Sequence, residues 1–255
     1  MFEKEYNSIA ETAAKKISFL KRNKIGYFTS SMLAGIYIGI GILLIFSIGG
    51  QLGTHPMTKF FMGISFGIAL SLVVIAGADL FTGNNLIMSV GIIKKTVSLN
   101  DSIILWLICF LGNWFGSIIL AILFHFSGLD TMEFAEFVNK TAVIKTTLSP
   151  LALFTRAILC NLLVCLAVWC SYKCTSESGK LIMIFWCLFA FITTGFEHSV
   201  ANMTLLSCAL INNINGDLSI LGYLYNIITV ALGNITGAII LLALPYAIIS
   251  KEKEV

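Results

Sequence analysis

From Gly26 onward the chain is a succession of long apolar runs separated by short polar gaps. The runs cover about 26–50, 58–90, 101–127, 149–172, 181–206 and 218–249. Each is long enough to cross a bilayer as a helix, since roughly 20 apolar residues suffice. The first 25 residues behave differently. Phe2, Tyr6, Ile9, Ala13, Ile17 and Leu20 recur every three or four positions with charges between them, which predicts an amphipathic helix lying on one membrane face. An interfacial anchor is the first reading of this arm, and a gating role is its alternative.

Two runs are interrupted at their middle. Run two carries "AGADLFTGNN" at 76–85 and run five carries "TTGFEHSVANM" at 193–203. Each break combines glycine, threonine and an acidic residue inside an otherwise apolar stretch. A second echo lies further on: "LGNWFGSII" at 111–119 recurs as "LGNITGAII" at 232–240, matching at six positions. The glycines of these motifs (Gly112, Gly116, Gly233, Gly237) predict close helix approach. Three spans repeated by three spans must be inserted with opposite topology. The expected fold is therefore all-α and polytopic, with two inverted three-helix repeats over about 26–127 and 149–249. Spans two and five are broken, and a short tail follows at 250–255.

Broken helices at matching positions of an inverted repeat point to a pathway near the midplane, because unwound backbone at that depth must line a cavity or be buried in protein. Gly83 and Gly195 are the glycines assigned to the two breaks. Glu197 and His198 then stand at the start of a half-helix whose free N–H groups favour an anion or an electron-rich solute. Thr82, at the other break, offers a hydroxyl that can donate and accept. Asp79 and Glu197 are read as hydrogen-bonding supports of the breaks, since a carboxylate on an anion path would repel its cargo.

Composition narrows the class. Of 255 residues, 58% are hydrophobic and 11% charged, and the mean hydropathy is +0.93, as in polytopic membrane proteins. The net charge of +3 matters less than its placement. Twelve Lys and Arg (Lys4, Lys15, Lys16, Lys21, Arg22, Lys24, Lys94, Lys95, Lys173, Lys180, Lys251, Lys253) fall on the side of the termini, against three (Lys59, Lys140, Lys145) on the other, with Arg156 inside a span. The positive-inside rule then makes both termini cytoplasmic, and a label at position 214 should report the outer face. The N-terminal stretch lacks the apolar core and small-residue cleavage site of a signal peptide. The seven cysteines lie in or beside apolar stretches and read as reduced packing residues. Cys170 and Cys174 lack the second ligand pair that a metal site requires.

The stretches "FGIALSLVVIAGADLFTGNN", "LGNWFGSII", "RAILCNLLVCLAVW", "AFITTGFEHSVANMTL" and "VALGNITGAII" resemble the formate/nitrite transporter family, and its nitrite-channel branch above all. Asp79 stands where that family's motif usually has Glu. The resemblance implies an aquaporin-like homopentamer in the cytoplasmic (inner) membrane, with one pore per protomer. It implies a cargo of small anions of weak acids (nitrite, formate or hydrosulfide) moving with protons, and neither a cofactor nor a nucleic-acid partner. Carried over by motif, Thr82, Lys145 and His198 are central. Phe66, Leu70, Leu80, Phe81 and Phe191 build two apolar constrictions, and Asn161 and Asn234 offer amide donors nearby. Only the resemblance moves Lys145 to the pore, since hydropathy alone makes it a loop lysine.

An isolated anion in rings of Leu and Phe is very costly, and the neutral conjugate acid avoids most of that cost. Lys145 would draw the anion in, and His198, titrating near neutrality, is the local proton donor. Water as the donor remains the alternative. A neutral-solute channel of the aquaporin class predicts two Asn-Pro-Ala motifs, yet none of Pro56, Pro150 and Pro245 follows an asparagine. Metal-dependent hydrolysis wants a second histidine one helical turn from the first, and His55 and His125 are far from His198 in sequence.

Overall fold

The structure is a computed structural model that describes residues 2–213 and 216–250. Position 214 and residues 251–255 of the tail, with Lys251 and Lys253, lie outside the described residues. The elements are α1 (Glu3–Arg22), α2 (Lys24–Leu52), α3 (Thr58–Gly77), α4 (Phe81–Ile93), α5 (Leu99–Phe126), α6 (Met132–Thr147), α7 (Pro150–Lys173), α8 (Glu177–Thr194), α9 (Ser199–Ile211) and α10 (Ile220–Ile249). Among the described residues there is no strand. Among the described residues six helices (α2, α3, α5, α7, α8 and α10) are long and apolar enough to cross a membrane. The half-helices α4 and α9 complete the two broken spans.

The breaks fall at 78–80 and 195–198, inside the stretches the sequence marks. Gly77 and Gly195 each take φ 79°, a left-handed conformation that glycine adopts without strain. In both cases the next amide reaches back five residues, Ala78 N–H to Val73 O at 3.0 Å and Phe196 N–H to Phe191 O at 3.0 Å. Gly77 is therefore the counterpart of Gly195. The sequence reading of Gly83 is corrected, since Gly83 sits within the first turn of α4 and has no positive φ.

The repeat is also longer than the spans. Each half opens with a helix outside the six spans, α1 before α2 and α6 before α7. The apolar stripe of α1 (Tyr6, Ile9, Ala10, Ala13, Ile17, Leu20) is buried against the bundle, not laid into lipid. Tyr6 Oη donates to Ala243 O at 3.2 Å, and Phe2 packs edge-on against Trp169 and Tyr246. Lys173 Nζ donates to Glu5 at 2.8 Å, and that bond holds the Glu5 carboxyl below the usual glutamate range. Close packing of the long spans uses the matched motifs. A Cβ at Gly116 would lie 2.1 Å from Met32 O, and one at Gly237 would lie 2.4 Å from Ile158 O, so α5 on α2 and α10 on α7 admit only glycine there.

Candidate functional site

Each break is clamped by one buried asparagine from the last span of its half. The Asn113 Oδ1 accepts from Phe81 N–H at 2.8 Å, while its Nδ2 donates to Ser31 O at 2.7 Å and to Asp79 O at 2.9 Å. Asn234 repeats this arrangement. Its Oδ1 accepts from Ser199 N–H at 3.0 Å, and its Nδ2 donates to Ala157 O at 2.8 Å and Glu197 O at 3.0 Å. An amide side chain supplies one acceptor and two donors, so each asparagine satisfies one N–H and one carbonyl of the opened turn and ties them to a carbonyl of a neighbouring helix.

That geometry corrects the expectation of free amide donors. Both Nδ2 hydrogens of Asn234 are spent on backbone carbonyls. Asn161 Nδ2 donates to Asn234 O at 2.6 Å, with a longer contact of 3.4 Å to Thr82 O. Asn161 thus braces the clamp. Asn113 went unsingled in the sequence reading, although its motif is the twin of that of Asn234.

The acidic residues follow the clamps and are each met by a lysine from the leading helix of their half. Glu197 accepts from Lys145 Nζ at 2.7 Å and from Asn202 Nδ2 at 2.7 Å. Asp79 pairs with Lys16 of α1 and accepts from Ser30 Oγ at 2.9 Å, with Asn84 Nδ2 at 3.4 Å. Lys145 is therefore not a loop residue. It lies in the last turn of α6, and its own carbonyl accepts from Asn226 Nδ2 at 2.9 Å. Buried charges need partners of this kind, because removing one leaves the other uncompensated.

The two halves part company at the residue that opens each half-helix. In α9 it is His198, and in α4 it is Leu80. His198 Nδ1 accepts from Ala201 N–H at 3.0 Å. A backbone N–H can only donate, so in the neutral ring the proton resides on Nε2, which lies 2.9 Å from Thr82 Oγ1 and donates to it. A cationic ring requires the Ala201 N–H to release Nδ1, so charging His198 uncaps the first turn of α9, at a cost of about 1 kcal/mol.

Two cavities approach this centre from opposite faces. On the face of the termini, one of about 650 Å³ reaches Leu70, Leu80, Asp79 and Gly83, with Lys16 and Lys180 at its wall. On the opposite face, one of about 260 Å³ runs past Lys59, Lys145, Arg156, Gly195 and Glu197 to Phe191 and His198. Between them lies a void of about 10 Å³ lined by Ile38, Phe66, Leu70, Leu80, Val164, Leu188, Phe191 and His198. That volume is at the lower limit for one water, so apolar side chains keep the two cavities apart in this conformation. Phe66 and Phe191 meet edge to face at 5.5 Å, and Phe191 stacks on His198 at 5.9 Å.

Four of the five expected constriction residues (Phe66, Leu70, Leu80, Phe191) line the central void. Phe81 does not. Its ring packs edge-on against Phe110 at 5.0 Å and lines a separate apolar pocket with Trp106, Ile228 and Ile235. Leu80 and Phe81 are consecutive, and the turn that aims one inward aims the other between α5 and α10.

The profile described as "Formate/nitrite transporter" matches residues 3–248. The chain is 37% identical over 252 residues to the nitrite transporter NirC of Salmonella typhimurium, covering 96% of this chain and 91% of that protein. Identity and coverage are the same for NirC of Escherichia coli. Among solved structures, a channel titled "FNT family ion channel" superposes with a TM-score of 0.93 at 35% identity, over 97% of this chain and 99% of that one. A pentameric formate channel with formate bound gives 0.81 at 26% identity, over 90% and 98%.

Proposed function

The chain belongs to the formate/nitrite transporter family, whose members are transporters and channels, and on that premise we propose that it carries nitrite and formate across the cytoplasmic membrane together with protons. In this reading it assembles as a homopentamer with a separate path through each protomer, and its termini face the cytoplasm. The observation that carries it is the void of about 10 Å³, ringed by apolar side chains, between two larger cavities that each have charged residues at the wall. An anion meeting that apolar ring leaves water with no compensating partner, whereas its conjugate acid crosses at far lower cost.

Lys59, Lys145, Arg156 and His198 line the outer cavity, and the buried Thr82 is reached through His198. Lys145 holds Glu197 in place at the wall of the outer cavity. His198, with Ala201 N–H held at Nδ1, is neutral and donates from Nε2 to the Thr82 hydroxyl. Asn234 and Asn161 act through the break, by keeping His198 at the end of α9. Hydrosulfide, also a small anion of a weak acid, meets the same chemistry and is the alternative cargo.

Proteoliposomes containing a pH dye test the reading. Inward nitrite or formate gradients should acidify the lumen in step with anion uptake, and an imposed membrane potential should change the rate little. Anion uptake that follows the potential and leaves the internal pH unchanged overturns proton-linked passage.

A further inference from the structure

The two cavities differ in how their cations are partnered. At the face of the termini, Lys16 is paired with Asp79 and Lys180 with Glu177 at 2.9 Å. In the opposite cavity Lys145 is paired with Glu197 at 2.7 Å, and Glu197 is the one carboxylate among the lining residues. Lys59 and Arg156 line the same cavity, and among the described residues neither side chain enters an ion pair. The cavity wall therefore carries two uncompensated positive charges, and neither belongs to Lys145.

Arg156 is also fixed to the break by its backbone, since its carbonyl accepts from Glu197 N–H at 3.4 Å. The equivalent carbonyl in the other half belongs to Ser30, which accepts from Asp79 N–H at 3.3 Å. The repeat thus sets a neutral hydroxyl at one break and a guanidinium at the other.

We propose that Arg156 and Lys59, and not the paired Lys145, form the anion-collecting site of the outer cavity, with nitrite and formate as its ligands. A lysine whose charge is matched at hydrogen-bond distance presents a dipole, and its attraction fades quickly with distance. Unmatched cations at the mouth of a narrow, low-dielectric cleft raise the local concentration of anions. Arg156 adds a planar fork of donors that suits two oxygens of a small oxyanion. Lys145 and Glu197 then serve the architecture of the break. This assignment rests on the anion-transport reading above.

The test uses the full-length protein in sealed membrane vesicles of each orientation, with initial nitrite uptake measured against nitrite concentration at low and high ionic strength. With the Arg156 cavity facing the medium at low salt, Arg156→Gln should raise the half-saturating nitrite concentration about three- to tenfold, within the range of electrostatic focusing. Lys59→Gln should shift it the same way by less, and Arg156→Lys should fall between wild type and Arg156→Gln, because the charge survives while the fork is lost. High salt should erase these differences, and vesicles of the other orientation should show none. Lys59 is exposed at the start of α3, so Lys59→Gln carries the test even where Arg156→Gln fails to assemble. Unchanged half-saturation in the folded Gln variants at low salt, with normal wild-type uptake, overturns the site and leaves the transport reading intact. Wild-type protein that moves neither nitrite nor formate overturns that reading, and the site with it.

Discussion

At residues 77–81 and again at 195–199 the chain builds the same backbone device from different side chains. Both turns have a glycine at φ 79°, both end in a half-helix, and both are held by an asparagine that pairs with one N–H and two carbonyls. Both place a carboxylate two residues after the glycine and a lysine against it. The residue that opens each half-helix sets the two apart. Leu80 and His198 are equivalent in the fold and both line the central void, yet one offers only apolar surface and the other hydrogen-bonds to Thr82. The lesson is that the repeat supplies the opening in the helix, and the residue at its lip sets which groups face the void.

The largest effects should come from the clamps, where the two breaks are alike. Asn113→Leu and Asn234→Leu each strip partners from three buried backbone groups. At about 1 kcal/mol or more per group, each should cost about 3 kcal/mol or more. Thermal unfolding in detergent should show both variants falling by similar amounts. A variant that keeps the wild-type midpoint at either site breaks the equivalence of the clamps.

Intermediate effects should come from the lip, where the breaks differ. His198→Leu copies the residue of the other half and leaves the Thr82 hydroxyl and the Ala201 N–H without their partners. It should cost about 1–3 kcal/mol and cut anion flux. Leu80→His does not create a second such site, because the residue that answers Thr82 in the other half is the buried Val200, which offers no hydroxyl. If His198→Leu carries nitrite at the wild-type rate, the asymmetry at the lip has no bearing on transport.

Smallest of the three should be the glycines. A Cβ at Gly77 or Gly195 meets nothing within 4 Å, so Gly77→Ala and Gly195→Ala carry the backbone cost alone, about 1–2 kcal/mol each for a left-handed conformation. Equal losses of stability on melting sharpen the comparison. A loss confined to Gly195 shows that the π-type turn at Val73–Gly77 can absorb the strain.

The spans were legible from the chain alone because a lipid solvent makes hydrophobicity nearly one-dimensional. A run of apolar residues long enough to cross must cross, whatever its neighbours do. The breaks were legible for the same reason, since Asp79, Glu197 and His198 are out of place in such runs, and the repeated L-G-N motif exposed the inverted halves. What only the tertiary structure decided depends on which atoms meet across helices. The glycine-x-acid spacing that Gly77 shares with Gly195 was present in the chain, but its weight showed only once the Asn113 clamp and the left-handed backbone marked the turn. Nothing local turns Leu80 toward the path and Phe81 away from it. Hydropathy read Lys145 as a loop charge because its partner, Glu197, is remote in sequence. Arg156 and Lys59 read as unrelated cations until folding set them on one cavity wall. Side-chain partnership across distant segments is a property of the packed bundle, and hydrogen-bond satisfaction at bilayer depth selected it.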